Sequence, residues 1–519
     1  MRAIISVYDK TGVVDFARIL EGLGYEIFST GGTEALLRES GITVHGIQGM
    51  TGFPEILGGR VKTLHPTVHG GILALRDDPG HLEELALHGI QPVDLVVSNL
   101  YPFLGTVREA GASLPVALEQ IDIGGHTLLR AAAKNFRYVV AVCDPNDYES
   151  VANELQRDGG VGEDSRRRLA AKAFQHCAVY DTHVATYLRP HDELFPPSYT
   201  IALEKLIDLR SGENPHQLAA VYAESSPRPR PAAIVTATQL HGKELSFNNT
   251  YDADLAWQAV RDFTSTCVAI VKHANLCGLS LGDSAADAFR RALATDPQTA
   301  FGSAVAANRV VDEEAAREIA AVFMEDLIAP GYTREALNVL RGKRDLRVFA
   351  TQPDPGAGSV NGSSQRGSDL DYKRLLGGFL VQTRDALDEH SFTPRVMTQR
   401  QPSLAEITSL YFAWRAVKHV KSNAVVLAKG LSLVGVGAGQ PSREDAVDVA
   451  VRKAGTRAPG SVLASDGFFP FPDALDRAGE AGVTAVIQPG GSIRDAELIR
   501  VANRRGIAMI FTAERHYRH

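Results

Sequence analysis

YEIFSTGGTEALLRES, residues 25–40, passes from a β-branched and aromatic run through Thr30-Gly31-Gly32-Thr33 into a segment with apolar residues at helical spacing. A strand that feeds a helix through a glycine turn is the repeating unit of a layered α/β fold. The turn sets glycine-permitted backbone N–H groups and two hydroxyls at a helix N-terminus, where the dipole and unpaired amides favour an anion. Taken alone, TGGT also reads as a Thr-capped helix after a tight turn.

The same alternation covers roughly the first 190 residues. AIISVYD, YEIFST, VDLVVSNLYPF and YVVAVCD are strand candidates, while VVDFARILEGLG and TEALLRESG are helical segments that stop at glycine. A doubly wound, largely parallel sheet is expected. Prolines and polar residues in LRPHDELFPPSYT (188–200) interrupt the periodicity, which sets a domain boundary near residue 198. A second α/β block follows, with AAIVTATQLHG, CVAIVKHAN, AVVLAKG, LVGVGAG and VTAVIQPGG as strands between Ala-rich helices. VAIVKHANLCGLSLG and AVVLAKGLSLVGVGAG share an order of strand, lysine, brief turn and strand, the mark of a duplicated subdomain. QPDPGAGSVNGSSQRGSD (352–369) reads as a flexible excursion without chemistry.

With 519 residues, 44% hydrophobic and 22% charged, the chain has the make-up of a globular protein with two or three cores. A net charge of -7 supplies no electrostatic footprint for nucleic acid or an anionic membrane, so a bound anion must be held by local groups. The opening MRAIISVYDK enters a strand-like run without a signal-peptide core, and no apolar stretch reaches the length of a membrane span. A cytoplasmic location is expected. Cys143, Cys177, Cys267 and Cys277 are too scattered for a disulfide framework and are read as reduced packing residues.

GGRVKTLHPTVHGG packs Arg60, Lys62, Thr63, His65 and His69 into a Gly-flanked segment too irregular for a solvated helix face. His65 and His69 raise a metal reading. Pro66 and Gly70-Gly71 disfavour the helix that would align both imidazoles, and no HExxH pattern is present, so no metal is expected. NLYPF supplies Tyr101, and IDIGGHTLLRAAAKN supplies Asp122, Gly124-Gly125 and a helix with Arg130 and Lys134 on one face. Singly these are a packing tyrosine, a cap and a solvated face. Together, at the C-terminal edge of a parallel sheet, they suit an anionic substrate and a proton-transfer step. In the second block CVAIVKHANLCG (267–278) ends an almost wholly apolar run on Lys272 and His273. A snorkelling lysine and a core histidine are one reading; a desolvated lysine with lowered pKa beside a proton acceptor is the other.

SVYDKTG, STGGT, TGFPEILGGRVKTLHPTVHGGIL, NLYPF, QIDIGG, LRAAAKN, GENPHQ, VKHAN, KSNAVV, GAGQPSR, SDGFFPFPD and IQPGGSIRD closely resemble, in order, the AICAR transformylase / IMP cyclohydrolase family of bifunctional purine biosynthesis proteins. The resemblance runs from Ser6 to His519. It implies a methylglyoxal-synthase-like doubly wound domain over 1–198 and a transformylase domain over 199–519 built of two cytidine-deaminase-like α/β subdomains that lack the deaminase zinc ligands. It implies formyl transfer from 10-formyltetrahydrofolate to AICAR, giving FAICAR, and dehydrative closure of FAICAR to IMP, without a metal. It further implies a homodimer whose transformylase site draws on both subunits.

Residue by residue, Lys272 and His273 match the catalytic pair, His273 taking the proton from the amine and Lys272 serving the folate leaving nitrogen and the oxyanion. Arg210 and Arg515 match a phosphate clamp. Asn248, Phe301, Asn423, Gln440, Phe468 and Asp473 match positions lining the nucleotide and folate site, with Asn423 near the formyl group and Asp473 near Lys272; His519 matches a structurally important residue. In the first domain Lys10, Arg60, Lys62, Thr63, Tyr101, Asp122, Gly124, Gly125 and Lys134 match the substrate-binding and catalytic set. Ser211, Leu276, Ser303 and Pro472 depart from the family pattern, and His126 follows IDIGG at a permissive position. The departures keep two alternatives in view: a lone cyclohydrolase with a decayed transformylase site, and a non-catalytic purine-nucleotide binding protein.

Overall fold

A computed structural model describes residues 1–109, 113–190, 192–227, 231–351, 370–386 and 393–519; the Gly/Ser/Pro tract 352–369 lies outside the described residues. The chain divides into two units, Met1–Glu204 with Glu224–Pro229, and Lys205–Ala223 with Arg230–His519.

In the first unit β1 (Arg2–Val7), β2 (Glu26–Ser29), β3 (Val44–Gly46), β4 (Leu95–Asn99) and β5 (Val140–Val142) form a parallel sheet in the order β3-β2-β1-β4-β5. Side chains alternate across it. Ala3, Ile5, Leu95 and Val97 pack with Phe16, Leu20, Val151 and Leu155 on one face, and Ile4 and Val96 with Val68, Ile72, Leu128 and Ala132 on the other. Connections leave β1 toward β2 and β4 toward β5 in opposite directions, so the sheet has its topological switch point between β1 and β4, where open α/β sheets bind ligands. β3 is unforeseen from sequence, being three residues with an exposed histidine. The fourth strand stops at Asn99 because Phe103 already opens a helix. The expected irregular loop at HPTVHGG is instead the helix Pro66–Leu73. Proline is accepted at the first helical position, His65 Nδ1 accepts the Thr67 N–H at 3.2 Å, and Gly71 lets the helix close on the Gln91 carbonyl, 2.6 Å from where a Cβ would stand.

Strands β6 (Leu203–Leu209) and β7 (Ala219–Glu224) form a ribbon. In the second unit β8 (Thr238–His241), β9 (Cys267–Lys272), β10 (Asn275–Leu281), β11 (Ala304–Ala307), β12 (Asp326–Ala329) and β13 (Arg347–Ala350) precede a second ribbon of β14 (Leu370–Leu375) and β15 (Gly378–Thr383). They are followed by β16 (Arg395–Val396), β17 (Val425–Lys429), β18 (Ser432–Gly437), β19 (Val462–Ser465), β20 (Ala485–Gln488) and β21 (Ala508–Phe511). Apart from the two ribbons, these strands make one sheet in the order β16-β21-β20-β19-β17-β18-β10-β9-β11-β12-β13-β8. The run β10-β9-β11-β12-β13 repeats as β18-β17-β19-β20-β21: an antiparallel hairpin, an antiparallel step, then two parallel neighbours. The two runs meet through an antiparallel β10–β18 pair. This is the duplication suggested by the two lysine-bearing hairpins. AAIVTATQLHG forms a strand only from Thr238, because the Thr236 hydroxyl takes the Ala233 N–H and holds Ile234–Thr236 in a tight turn.

Helices Phe247–Arg261 and Leu404–Val417 share one face of this sheet, with Trp257 and Trp414 in its core. Separate clusters cover the other face of each half. Each half brings a helix onto a strand glycine: a Cβ on Gly278 would meet the Ala292 carbonyl, and one on Gly435 or Gly437 the carbonyl of Ala450 or Ala446. Gly437→Ala is therefore expected to destabilise the protein by about 1–3 kcal/mol. Gly160→Ala, where a Cβ meets open space, should stay within about 0.5 kcal/mol of the wild type. Urea denaturation midpoints compare the two.

Candidate active sites

At the C-terminal ends of β2, β1 and β4 three loops of the first unit converge. Thr30 is extended (φ -133, ψ 150) ahead of the helix Gly31–Glu39, and its hydroxyl meets Ser6 Oγ at 2.9 Å rather than capping the helix. The first amides of the helix are thus left open. Gly31 has φ +47, and a Cβ there would lie 3.3 Å from Lys62 Nζ; one on Gly32 would lie 4.0 Å from Lys10 Nζ. Two ammonium groups over one helix N-terminus, brought from separate loops, form an arrangement that suits an anion. Thr33 has another job: buried, it donates its hydroxyl to the Val7 carbonyl at 2.8 Å and ties the helix to β1. Lys62 Nζ also lies 3.4 Å from Glu55 Oε2, and Arg60 pairs with Glu119.

Asn99 holds the switch point together. Its side-chain oxygen accepts the N–H groups of Tyr8 (2.7 Å) and Asp9 (2.9 Å), and its amide donates to the Asp9 carbonyl (3.0 Å), which fixes the loop leading to Lys10. Tyr101 packs its exposed ring 5.4 Å from that of Tyr8. Asp122 accepts the Gly125 N–H at 2.8 Å, and Tyr180 receives the Asp122 N–H at 2.8 Å. Burial raises the Asp122 carboxyl above the usual range, against the pull of its backbone donors. A Cβ on Gly124 would stand 3.1 Å from the buried Thr63 hydroxyl, and one on Gly125 would stand 2.9 Å from both Asp122 Oδ2 and Ser98 Oγ. Gly124-Gly125 is therefore a packing requirement of the site.

Sequence reasoning did not single out Asn99 or Ser98. Ser98 Oγ and His69 Nε2 are both buried without a hydrogen-bond partner, and burial pushes the His69 imidazole down so that it is neutral at pH 7. Lys134 stands apart from the cluster. It ends the helix that Gly124 begins, roughly 15 Å along the axis at about 1.5 Å per residue. His65 Nδ1 caps its own helix, and among the described residues no group of three or more His, Cys, Asp or Glu is placed to hold a metal ion.

In the second unit a two-residue turn, His273-Ala274, joins β9 to β10 and closes Lys272 opposite Asn275. Both residues are left-handed, φ +51 and +62. A type I′ hairpin needs such values and usually takes them from Asn-Gly; for residues bearing a Cβ each costs about 1–2 kcal/mol. Asp252, on the helix Phe247–Arg261, holds the turn, with Oδ2 accepting the His273 N–H at 2.9 Å and Oδ1 the Ala274 N–H at 2.7 Å. The His273 ring is exposed. Lys272 is half-buried rather than sealed in the strand end, and Nζ donates to the carbonyl of Phe301, whose exposed ring packs 5.0 Å from Phe323.

A string of contacts leads from this turn into the other half of the unit. Asn275 Oδ1 accepts the Lys421 N–H (3.2 Å), the Lys421 carbonyl accepts the Gly439 N–H (2.7 Å), and Asn423 Nδ2 donates to the Gln440 carbonyl (3.0 Å). Buried Arg443 donates to Asn423 Oδ1 (2.6 Å) and pairs with Asp466, which is fully buried. Tyr517 closes over Gly467 beside Arg443, and the Arg515 guanidinium lies over the rings of Phe468 (5.1 Å) and Tyr517 (5.8 Å). Asn423, Gln440, Phe468 and Arg515 are thus linked to the Lys272–His273 turn through a chain of contacts. The Arg210 loop is stitched to the helix bearing Asp252: Ser211 accepts the Phe247 N–H (3.3 Å), and Asn248 donates to the Glu213 carbonyl (3.2 Å). Asp473 is exposed at a helix start with no ion pair to Lys272 among the described residues, and the His519 carbonyl accepts from Lys373 at 2.8 Å.

Arg443 and Asp326 escaped sequence reasoning, although GAGQPSR carried the first in plain view. Asp326 lies 2.9 Å from Asn249 Nδ2 and 3.7 Å from Arg347, with Oδ1 buried and unbonded; burial outweighs the arginine and raises the carboxyl to about 7. Leu276 is packed in the core, and burial pushes the Cys277 thiol up to about 11, unsuited to a nucleophile.

A doubly wound α/β unit with two lysines over an open helix start, followed by a duplicated α/β unit with a separate lysine–histidine turn, has the build of a two-site enzyme. A family model described as AICARFT/IMPCHase bienzyme matches residues 132–453 and one described as MGS-like domain matches residues 12–127, and the chain belongs to the AICARFT/IMPCHase bienzyme family of purine biosynthesis. It is 49% identical over 519 residues, all of this chain and 99% of the relative, to the bifunctional purine biosynthesis protein PurH of Anoxybacillus flavithermus. It is 47% identical over the same span to the protein so named in Bacillus cereus strain AH187. A solved structure titled Crystal structure of ForH is 40% identical, with a TM-score of 0.32, covering 36% of this chain and 97% of that one.

The Asp326 carboxyl gives a pH prediction. Its folded value of about 7 exceeds the ordinary 3.8, so between those values the unfolded chain has lost a proton that the folded chain keeps. Its contribution is complete below about 4 and lost as pH rises to about 7. Urea midpoints across that window should fall for the wild type, and Asp326→Asn should flatten the slope.

Proposed function

We propose that this bifunctional enzyme closes FAICAR to IMP on residues 1–198 and formylates AICAR on residues 199–519, with 10-formyltetrahydrofolate as the formyl donor. The observation that carries the transformylase assignment is the exposed His273 beside Lys272 on a turn strained to present them. The AICAR amine is a weak nucleophile because its lone pair is delocalised into a carboxamide-bearing imidazole. Attack on the formyl carbon needs a proton acceptor and a stabilised oxyanion. His273 takes the amine proton, and Lys272 steadies the oxyanion and supplies a proton to the departing folate nitrogen. Asn423, fixed by Arg443, faces the formyl group; Arg210 and Arg515 hold the phosphate; Asn248, Phe301, Gln440, Phe468 and Asp473 line the nucleotide and folate surface.

In the first domain the open helix start at Thr30–Thr33 with Lys10 receives the FAICAR phosphate. Asp122, its carboxyl raised above the usual range by burial, exchanges protons with the closing ring, and Tyr101 and Lys62 assist the loss of water. Lys134, which the resemblance places in the catalytic set, ends the helix that begins beside Asp122, and among the described residues no hydrogen bond or ion pair ties its side chain to another group. Exposed Leu203, Leu206, Ile207 and Tyr222 on one ribbon and Leu375, Leu376, Phe379 and Leu380 on the other support a homodimer. Among the described residues no helix is long and apolar enough to cross a membrane, and we assign the enzyme to the cytoplasm.

A discontinuous assay with AICAR and 10-formyltetrahydrofolate, products separated by chromatography, tests both sites. The wild type should yield IMP, Lys272→Ala should lose about 10²–10⁴-fold of FAICAR formation, and Lys62→Ala should accumulate FAICAR. A wild type that closes supplied FAICAR but makes none from AICAR would be a cyclohydrolase alone.

A further inference from the structure

The two halves of the second unit close equivalent hairpins by different means. In the β17–β18 hairpin Lys429 pairs with Ser432, and Gly430 takes the left-handed position at φ +60, which glycine adopts freely. In the β9–β10 hairpin His273 and Ala274 are left-handed in succession, and among the described residues no other two consecutive non-glycine residues share that conformation. The helices packed behind the hairpins differ to match. The sixth residue of Phe247–Arg261 is Asp252, whose two oxygens take the N–H groups of the strained turn. The sixth residue of Leu404–Val417 is Ser409, whose hydroxyl turns back onto its own helix at the Ala405 carbonyl, 3.0 Å away. Hairpin closure therefore needs neither the strain nor the carboxylate. Both occur only in the half that presents a histidine.

We propose that Asp252 is a positioning residue for formyl transfer, its bidentate grip on the His273 and Ala274 N–H groups fixing the turn so that the imidazole stands where the amine proton leaves. The inference rests on the transformylase reading given above. Asn249, one turn back on the same helix face, reaches Glu325 at 2.6 Å and Asp326 at 2.9 Å, so the helix surface that anchors the turn is itself pinned to the end of β12. Asparagine at 252 keeps the shape but turns an amide donor toward one of the two N–H groups, so the grip is lost.

The full-length enzyme is assayed for FAICAR formation, with closure of supplied FAICAR as the control for an intact first domain. Asp252→Asn should lower kcat at least about 10-fold while the AICAR KM moves less than about threefold. Adding Ala274→Gly, which relaxes the left-handed requirement, should recover several-fold of that loss. Ala274→Ile, with Asp252 in place, should depress kcat comparably, because β-branching is incompatible with that φ. A kcat within twofold of wild type in Asp252→Asn, or a loss that Ala274→Gly leaves unrelieved, overturns the inference. A wild type that makes no FAICAR overturns the transformylase reading instead.

Discussion

A backbone N–H at the end of a strand must find a partner, and both candidate sites of this protein are built on how that requirement is met. At the head of the helix Gly31–Glu39 the amides lack a side-chain cap, because the Thr30 hydroxyl turns to Ser6 and that of Thr33 to Val7. Lys10 and Lys62 then bring positive charge to donors already waiting for an anion. At the His273-Ala274 turn the donors are taken by a carboxylate of the protein itself. One arrangement leaves room for a ligand, while the other stiffens a backbone that a ligand must meet.

The duplication of the second unit makes that difference visible. Two copies of one topology, joined edge to edge through β10 and β18, keep the same glycine-to-helix contacts and diverge at the hairpin tips. One copy presents Lys272 and His273; the other contributes Asn423 and Gln440, braced by the buried Arg443–Asp466 pair. A buried ion pair is a weak source of stability unless its remaining polar groups are satisfied. Here Arg443 also donates to Ser465 Oγ at 2.9 Å and to Asn423, so the pair orients a site residue as well as filling the core.

Glycine has a comparable double role in the first unit. Gly124 and Gly125 look like a helix start, yet the space a side chain would need is already taken by Thr63, Ser98 and Asp122. The close packing that excludes a Cβ also half-buries the Asp122 carboxyl, and this burial raises its pKa. Packing and acid–base character here share a cause.

Hydrophobic periodicity and glycine punctuation alone determined the α/β class, the strand–turn–helix unit at Thr30, the repeat in the second block and the two segments that hold the candidate site residues. These are local properties, written within a dozen residues by side-chain spacing and turn chemistry. The resemblance to a family added residue roles. Other features depend on residues far apart in the chain: Lys10 and Lys62 over one helix start, Asp252 reaching the turn after β9, Arg443 beneath Asn423, and Lys134 at the opposite helix end from Asp122. The helix at HPTVHGG is hidden from sequence pattern for the same reason, since Gly71 is required by the Gln91 carbonyl packed against it. Only the tertiary structure decided these points, because distance, burial and the pairing of backbone donors are set by which elements pack together, and short-range sequence pattern does not contain that information.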